Sequence, residues 1–326
     1  MIKDIDQKKL RLMLKRNFLV PCLTIFLAVL LFSNGSTPKA FAATANEIDQ
    51  LGLGQNQVNS QTEQSSQDEQ LILGEQKTIG DGTVQSWVKL DRNQKPISVG
   101  INLTEAAVDT APPDDRSAAG KDGIKLQLQD GIGHQTFEYE IAIPNIPEAQ
   151  IPFTHLGVNW NPYGHGPEGI FTAAHWDIHF YTIDPEYRRR ISQYTDVHKR
   201  ISDKLPPKGF TNPDYQLAPG TAEPRMGSHT ADFSSPELAP GKFGNIFIYG
   251  IHNGQIIHWE PMVSDDFLKA NSYAVQPIKL PELYFKSGYY PNTYTVKHDT
   301  ANHQYVISLD NLSYHPAYSE LKEVKL

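Results

Sequence analysis

The chain has 326 residues, a formal net charge of −8, 20% charged residues and one cysteine. A lone cysteine excludes a disulfide framework and a thiolate metal cage. The acidic balance argues against nucleic acid or an anionic membrane surface as partner.

Lys3, Lys8, Lys9, Arg11, Lys15 and Arg16 precede an apolar run from Phe18 to Phe32, and Ala40-Phe41-Ala42 follows. A basic start, a short apolar stretch and a small-residue A-x-A pattern predict a secretory signal peptide over residues 1–42. The run is fifteen residues, short of the ~20 a spanning helix needs. The expectation is therefore export to the periplasm or beyond, with no stable membrane span after cleavage. The only cysteine, Cys22, lies inside the run. Residues 1–42 carry seven Lys/Arg against two Asp, so their removal takes the net charge from −8 to −13. Residues 43–70 are rich in Gln, Asn and Ser without an aromatic side chain, which predicts a disordered spacer. Residues 71–326 are then a single β-rich domain, a length one core can serve.

Within that span the elements are short. Thr83 to Leu90 and Ile97 to Leu103 alternate around a turn-like Asp91 to Pro96, which predicts a hairpin. Ile124 to Leu128 and Phe137 to Ile143 read as strands, the first broken by Gly131-Ile132-Gly133 and the second closed by Pro144 and Pro147. Thr154 to Trp160 leads through Asn161-Pro162 into a Gly-rich loop. His175 to Tyr181 is the next strand. Asp184 with Pro185 behind it predicts a helix start. Tyr187, Ile191, Tyr194, His198 and Ile201 continue at helical spacing, with Arg188, Arg189 and Arg190 outward. Asn253-Gly254 between Asn245–Ile251 and Gln255–Trp259 predicts a second hairpin. Ser264 caps a short helix, and Tyr294–Val296 with Tyr305–Leu309 form a last hairpin. Many short strands and 23 prolines predict a mainly β fold, a sandwich or barrel of antiparallel strands with one or two helical insertions.

His175, Asp177 and His179 share one parity of their strand, and Trp176, Ile178 and Phe180 the other. A strand therefore places His, Asp and His in one row. Imidazole and carboxylate suit a divalent transition metal: zinc, iron, manganese or copper. Alternate residues lie ~7 Å apart along a strand, so two neighbours of the row can share an ion and the third orients a ligand from outside. His229 is the expected ligand from elsewhere, followed by His165 and Glu260. Glu168 and Glu260 are proton-transfer candidates. Trp160, Tyr163 and Tyr181 are expected to line a pocket. The other histidines, His258 among them, are read as surface or structural. A rival reading makes the row a polar hydrogen-bond network in a non-catalytic envelope protein that binds a small molecule or another protein. Homo-oligomerisation is compatible with either. No G-x-S-x-G elbow, P-loop or dinucleotide fingerprint occurs.

Four ordered motifs resemble an uncharacterised domain-of-unknown-function family of exported bacterial proteins (TTHB-like). They are Asn159-Trp160-Asn161-Pro162-Tyr163-Gly164-His165-Gly166-Pro167-Glu168-Gly169, then His175 to Tyr181, then Pro224-Arg225-Met226-Gly227-Ser228-His229, then Glu260-Pro261-Met262. Asn159, Trp176 and Ile178 depart from the family pattern, and the likeness spans roughly residues 80–270. The resemblance implies a β-rich exported protein and joint action of His165, His175, Asp177, His179 and His229. It implies no particular activity.

Overall fold

The computed structural model describes residues 69–128, 133–270 and 273–323. The expected signal peptide and all but the end of the expected spacer lie outside the described residues. So does most of the Gly131–Gly133 break.

In chain order the strands are β1 (Gln70–Ile79), β2 (Gly82–Leu90), β3 (Pro96–Thr104), β4 (Ile124–Gln127), β5 (Gln135–Ala142), β6 (His155–Asn161) and β7 (His175–Tyr181). There follow β8 (Tyr215–Leu217), β9 (Ser228–Asp232), β10 (Asn245–His252), β11 (Gln255–Ser264), β12 (Tyr273–Pro277), β13 (Gly288–Tyr290), β14 (Thr293–Asp299), β15 (Gln304–Asp310) and β16 (Ser313–His315). Among the described residues five short helices punctuate them: α1 (Glu105–Asp109), α2 (Pro185–Arg189), α3 (Asp196–Ser202), α4 (Asp265–Lys269) and α5 (Tyr318–Glu323).

Two antiparallel sheets carry the fold. One runs β1-β2-β3-β15-β14-β12 and the other β4-β5-β6-β7-β11-β10-β9-β8; β13 and β16 pair separately. Neither large sheet closes into a barrel. The three expected hairpins are present: β2 with β3, β10 with β11 around Asn253-Gly254, and β14 with β15. Period-two alternation explains the layers. Val84, Val88, Val99, Ile101, Leu103, Ile307 and Leu309 from the first sheet share one buried cluster with Phe137, Leu156, Val158, Trp176, Ile178, Phe180, Phe247, Tyr249 and Trp259 from the second. Burying such side chains contributes about 1.5–3 kcal/mol each, which makes this cluster the core of a β-sandwich.

The other face of the eight-stranded sheet is polar yet buried. Glu138, Asn159, Asn161, His175, Asp177, His179, His258 and Glu260 are each at most 4% exposed. Connecting segments cover this face: residues 162–174 between β6 and β7, 218–227 between β8 and β9, and 233–244 between β9 and β10.

Two readings need correction here. The predicted helix from Asp184 is two helices. Asp184 caps α2 and Thr195 caps α3 through their side-chain oxygens. Tyr187, Tyr194 and Ile201 are 41%, 69% and 37% exposed, so their helical spacing does not mark a buried stripe. Ile191 instead leaves the helix to pack with Tyr181 and Ile257. Arg188 does not point outward either. It is fully buried, paired with Glu138 and Glu140, and lies 4.0 Å from the Tyr181 ring centre. A guanidinium out of water needs such carboxylate partners. Gly157 makes room for it, because a Cβ there would sit 2.7 Å from Arg188 Nη2.

Candidate metal centre

Strand register assembles the first group. β7 pairs β11 with Trp259 opposite Phe180 and Met262 opposite Asp177, which sets Glu260 beside His179. β9 and β11 flank β10, with Gly250 opposite both His229 and His258. A Cβ on Gly250 would meet His258 Nε2 at 1.6 Å. The His258 ring therefore lies across the bare glycine toward β9. Three strands thus bring His179, His229, His258 and Glu260 together, with one ligand atom of each within 4.8 Å of the others.

The tautomers follow from the backbone, since a carbonyl can only accept. His179 Nδ1 donates to Gly157 O at 3.1 Å, His229 Nδ1 to Thr221 O at 3.0 Å, and His258 Nε2 to Met226 O at 3.2 Å. Each remaining ring nitrogen faces the carboxylate: His179 Nε2 at 3.3 Å, His258 Nδ1 at 3.4 Å and His229 Nε2 at 3.7 Å from Glu260. His179 Nε2, His258 Nδ1 and Glu260 Oε2 are buried without a hydrogen-bond partner. Orphaned polar atoms of this kind are costly and require an explanation. Ligands ~2.0–2.1 Å from one ion stand a little over 3 Å apart, and these separations match.

Electrostatics fit as well. Burial pushes the imidazoles of His229 and, much further, His258 toward their neutral, ligating form. At His179 burial has the same tendency, but the Glu260 carboxylate outweighs it and raises the group.

A second group lies one step along β7. His175 and Asp177 converge with His165 from the loop after β6. His175 Nδ1 donates to Ala173 O and His165 Nδ1 to Gly166 O, each at 2.7 Å. Their Nε2 atoms stand 3.2 Å and 3.4 Å from Asp177 Oδ1 and Oδ2, and Asn161 Nδ2 donates to Oδ2 at 2.7 Å. At His165 burial opposes the charge, yet Asp177 holds the imidazole up at about 9. Burial likewise works against the Asp177 carboxylate, but His175 and His165 keep it well below the usual range.

Both groups open onto one cavity of about 190 Å³. Its walls include the polar His165, Asp177, His179, His229 and Glu260 and the apolar Phe171, Met226, Phe233, Leu238, Ile248 and Met262, with Met262 beside Asp177 and Ile248 beside Glu260 on the sheet.

Of the residues expected from sequence, His165, His175, Asp177, His179, His229 and Glu260 are all at this face. They divide differently than expected. His229 joins only His179 of the row, while His175 and Asp177 pair with His165. Glu168 is exposed and does not line the cavity, because its loop turns it away. Trp160 has the parity of the core, is 6% exposed there, and donates from Nε1 to Pro112 O at 2.8 Å. Tyr163 is 44% exposed beside His134. Tyr181 is wholly buried against His155, His179 and His258. None of these three lines the cavity. His258, read as structural, belongs to the four-residue group. The alternation His258-x-Glu260 on one strand was the signal for it.

No family model, curated protein or solved structure matches the chain.

Proposed function

We propose that this chain is a metal-binding protein whose divalent transition ion is held by His179, His229, His258 and Glu260. One observation carries the reading: three histidines, His179 and His258 buried and His229 partly so, each spend one ring N–H on a backbone carbonyl and turn the other nitrogen to the same carboxylate. Carbonyl-anchored imidazoles are the usual support of metal-ligating histidine. Three imidazoles with one carboxylate suit zinc, iron, manganese or copper better than magnesium or calcium.

The cavity supports a small molecule as the second ligand. His179, His229 and Glu260 line it, together with apolar side chains, so an ion held by the four residues would border a space with both polar and apolar walls. A molecule with an apolar body and an oxygen donor fits that division. An ion there supplies Lewis-acid polarisation of that oxygen or activation of a water. The chain's part is to seat the body against Phe171, Ile248 and Met262 and to keep bulk water out.

The basic start, the apolar run and Ala40-Phe41-Ala42 support an exported, envelope address, which the resemblance of the four motifs to those of exported bacterial proteins also implies. No helix among the described residues is long and apolar enough to cross a membrane.

The test is elemental analysis and thermal melting of protein purified without a histidine tag. The expected result is at least one equivalent of transition metal and a melting temperature that falls by several degrees with a strong chelator and returns with zinc or manganese. Binding to the folded state stabilises by mass action. His258→Ala and Glu260→Gln should abolish the chelator effect of this site. Less than a tenth of an equivalent, with equal melting temperatures in all samples, would favour the metal-free polar network.

A further inference from the structure

We propose that the protein binds a second divalent transition ion, at His165, His175 and Asp177, independent of the first. The inference does not rest on the four-residue site, since the two groups share no ligand. Asp177 and His179 are alternate residues of β7, so their Cα atoms are ~7 Å apart. No residue belongs to both groups, so each ion would have its own ligand set.

The donor set is built in the same manner as the first. Ala173 O and Gly166 O each take one ring N–H, which fixes the Nε2 of His175 and of His165 as the ligating atoms. Asn161 orients the Asp177 carboxylate from behind, the role that outer hydrogen bonds play around metal ligands. His175 is wholly buried and Asp177 is 4% exposed. His175 Nε2 and Asp177 Oδ1 have no hydrogen-bond partner although they lie 3.2 Å apart. Two buried polar atoms that meet without bonding are a point of convergence for a third group.

The chemistry of that group is set by the ligands. Two imidazoles and one carboxylate suit zinc or its first-row neighbours. Three protein ligands beside a cavity are the arrangement of metal sites that keep a position open. His165 and Asp177 line the cavity, so an ion held there would border the same space as one at the four-residue site. The loop that delivers His165 is held by His165 N donating to Phe171 O at 2.8 Å, and the imidazole packs on Phe171 and His175.

The deciding experiment is equilibrium dialysis of the tag-free protein against zinc alone, with bound metal counted per chain. The wild type should hold two equivalents, His165→Ala one, His258→Ala one, and the double variant none. His165 is only partly buried and lies on a loop, so its variant should melt with the wild type in chelator. His175→Ala provides a second probe from the strand. If His165→Ala and His175→Ala both retain the wild-type count, the proposal is overturned. If they lose one equivalent while His258→Ala loses none, the second site stands and the first falls.

Discussion

His155 shows how a single side chain on the polar face couples the fold to pH. It is 2% exposed, stacks on Tyr181 at 4.9 Å, and leaves Nε2 without a hydrogen-bond partner. Burial, then the Arg188 charge, pushes its imidazole down to about 3, against about 6.5 in an unfolded chain. Between those values the unfolded chain binds the extra proton, so stability rises with pH. The contribution is full above about 6.5 and is lost as pH falls toward about 3. From pH 7 to pH 5 the loss is about 2 kcal/mol by this linkage. His155→Phe keeps the stack and removes the proton site. Urea unfolding in chelator should show the wild type losing about that much more stability over the interval than the variant. Parallel losses would mean that His155 is solvated or paired in solution. The neighbouring Arg188–Glu138–Arg225 group marks a limit of sequence reading at this scale. Nothing in three consecutive arginines says that the first is buried, because its partners lie about fifty residues upstream on β5 and are brought near only by the fold.

The element that decides the site is β10, although it contributes no ligand. Gly250 sits between His229 on β9 and His258 on β11, and the missing Cβ is what lets the His258 ring cross the strand. Gly250→Ala should displace that ring, because the new Cβ would lie 1.6 Å from His258 Nε2 and the His258 ring is what it meets. Zinc affinity at the four-residue site should fall by a factor of at least ten, the scale seen when support of a ligand is lost. A competition titration with a chromophoric chelator reads this, and unchanged affinity would remove Gly250 from the account. Element type was largely legible. The alternating β7, the Asn-Gly hairpin and the Ser264 and Asp184 caps have local chemical causes that a sequence displays. The end of β11 was not. The alternation supports a strand over Gln255–Trp259 that runs into Glu260-Pro261-Met262, where Pro261 has no N–H for a central ladder. The structure continues it to Ser264, which carries Glu260 and Met262 onto the polar face. The division of the row between two groups was not legible either, since it depends on which neighbouring strand stands beside each residue of β7.

At the scale of the molecule, the sandwich separates tasks by face. The apolar sides of both sheets meet, while the polar side of the larger sheet is roofed by its own loops. The export expectation belongs here as well. N-terminal sequencing of protein from the cell envelope should begin near Ala43, and an intact Met1 confined to the cytosol would contradict the proposed address. Transition-metal loading would then take place in that outer compartment, which sets the conditions under which the zinc counts should be repeated.

The alternation along β7 has a further consequence for engineering. Trp176, Ile178 and Phe180 belong to the scaffold, while His175, Asp177 and His179 belong to the polar face, and the two sets never share a position. The odd-numbered residues can therefore be rewritten as a ligand set without touching the residues that hold the sheets together. Asn159 and Asn161 on β6 and His258 and Glu260 on β11 extend the same rewritable surface across three adjacent strands, while Gly157 stays fixed because a Cβ there would meet Arg188. A designer seeking a different ion or a different guest would treat this face as a pegboard on a fixed backing, changing the pegs in register and leaving the backing alone.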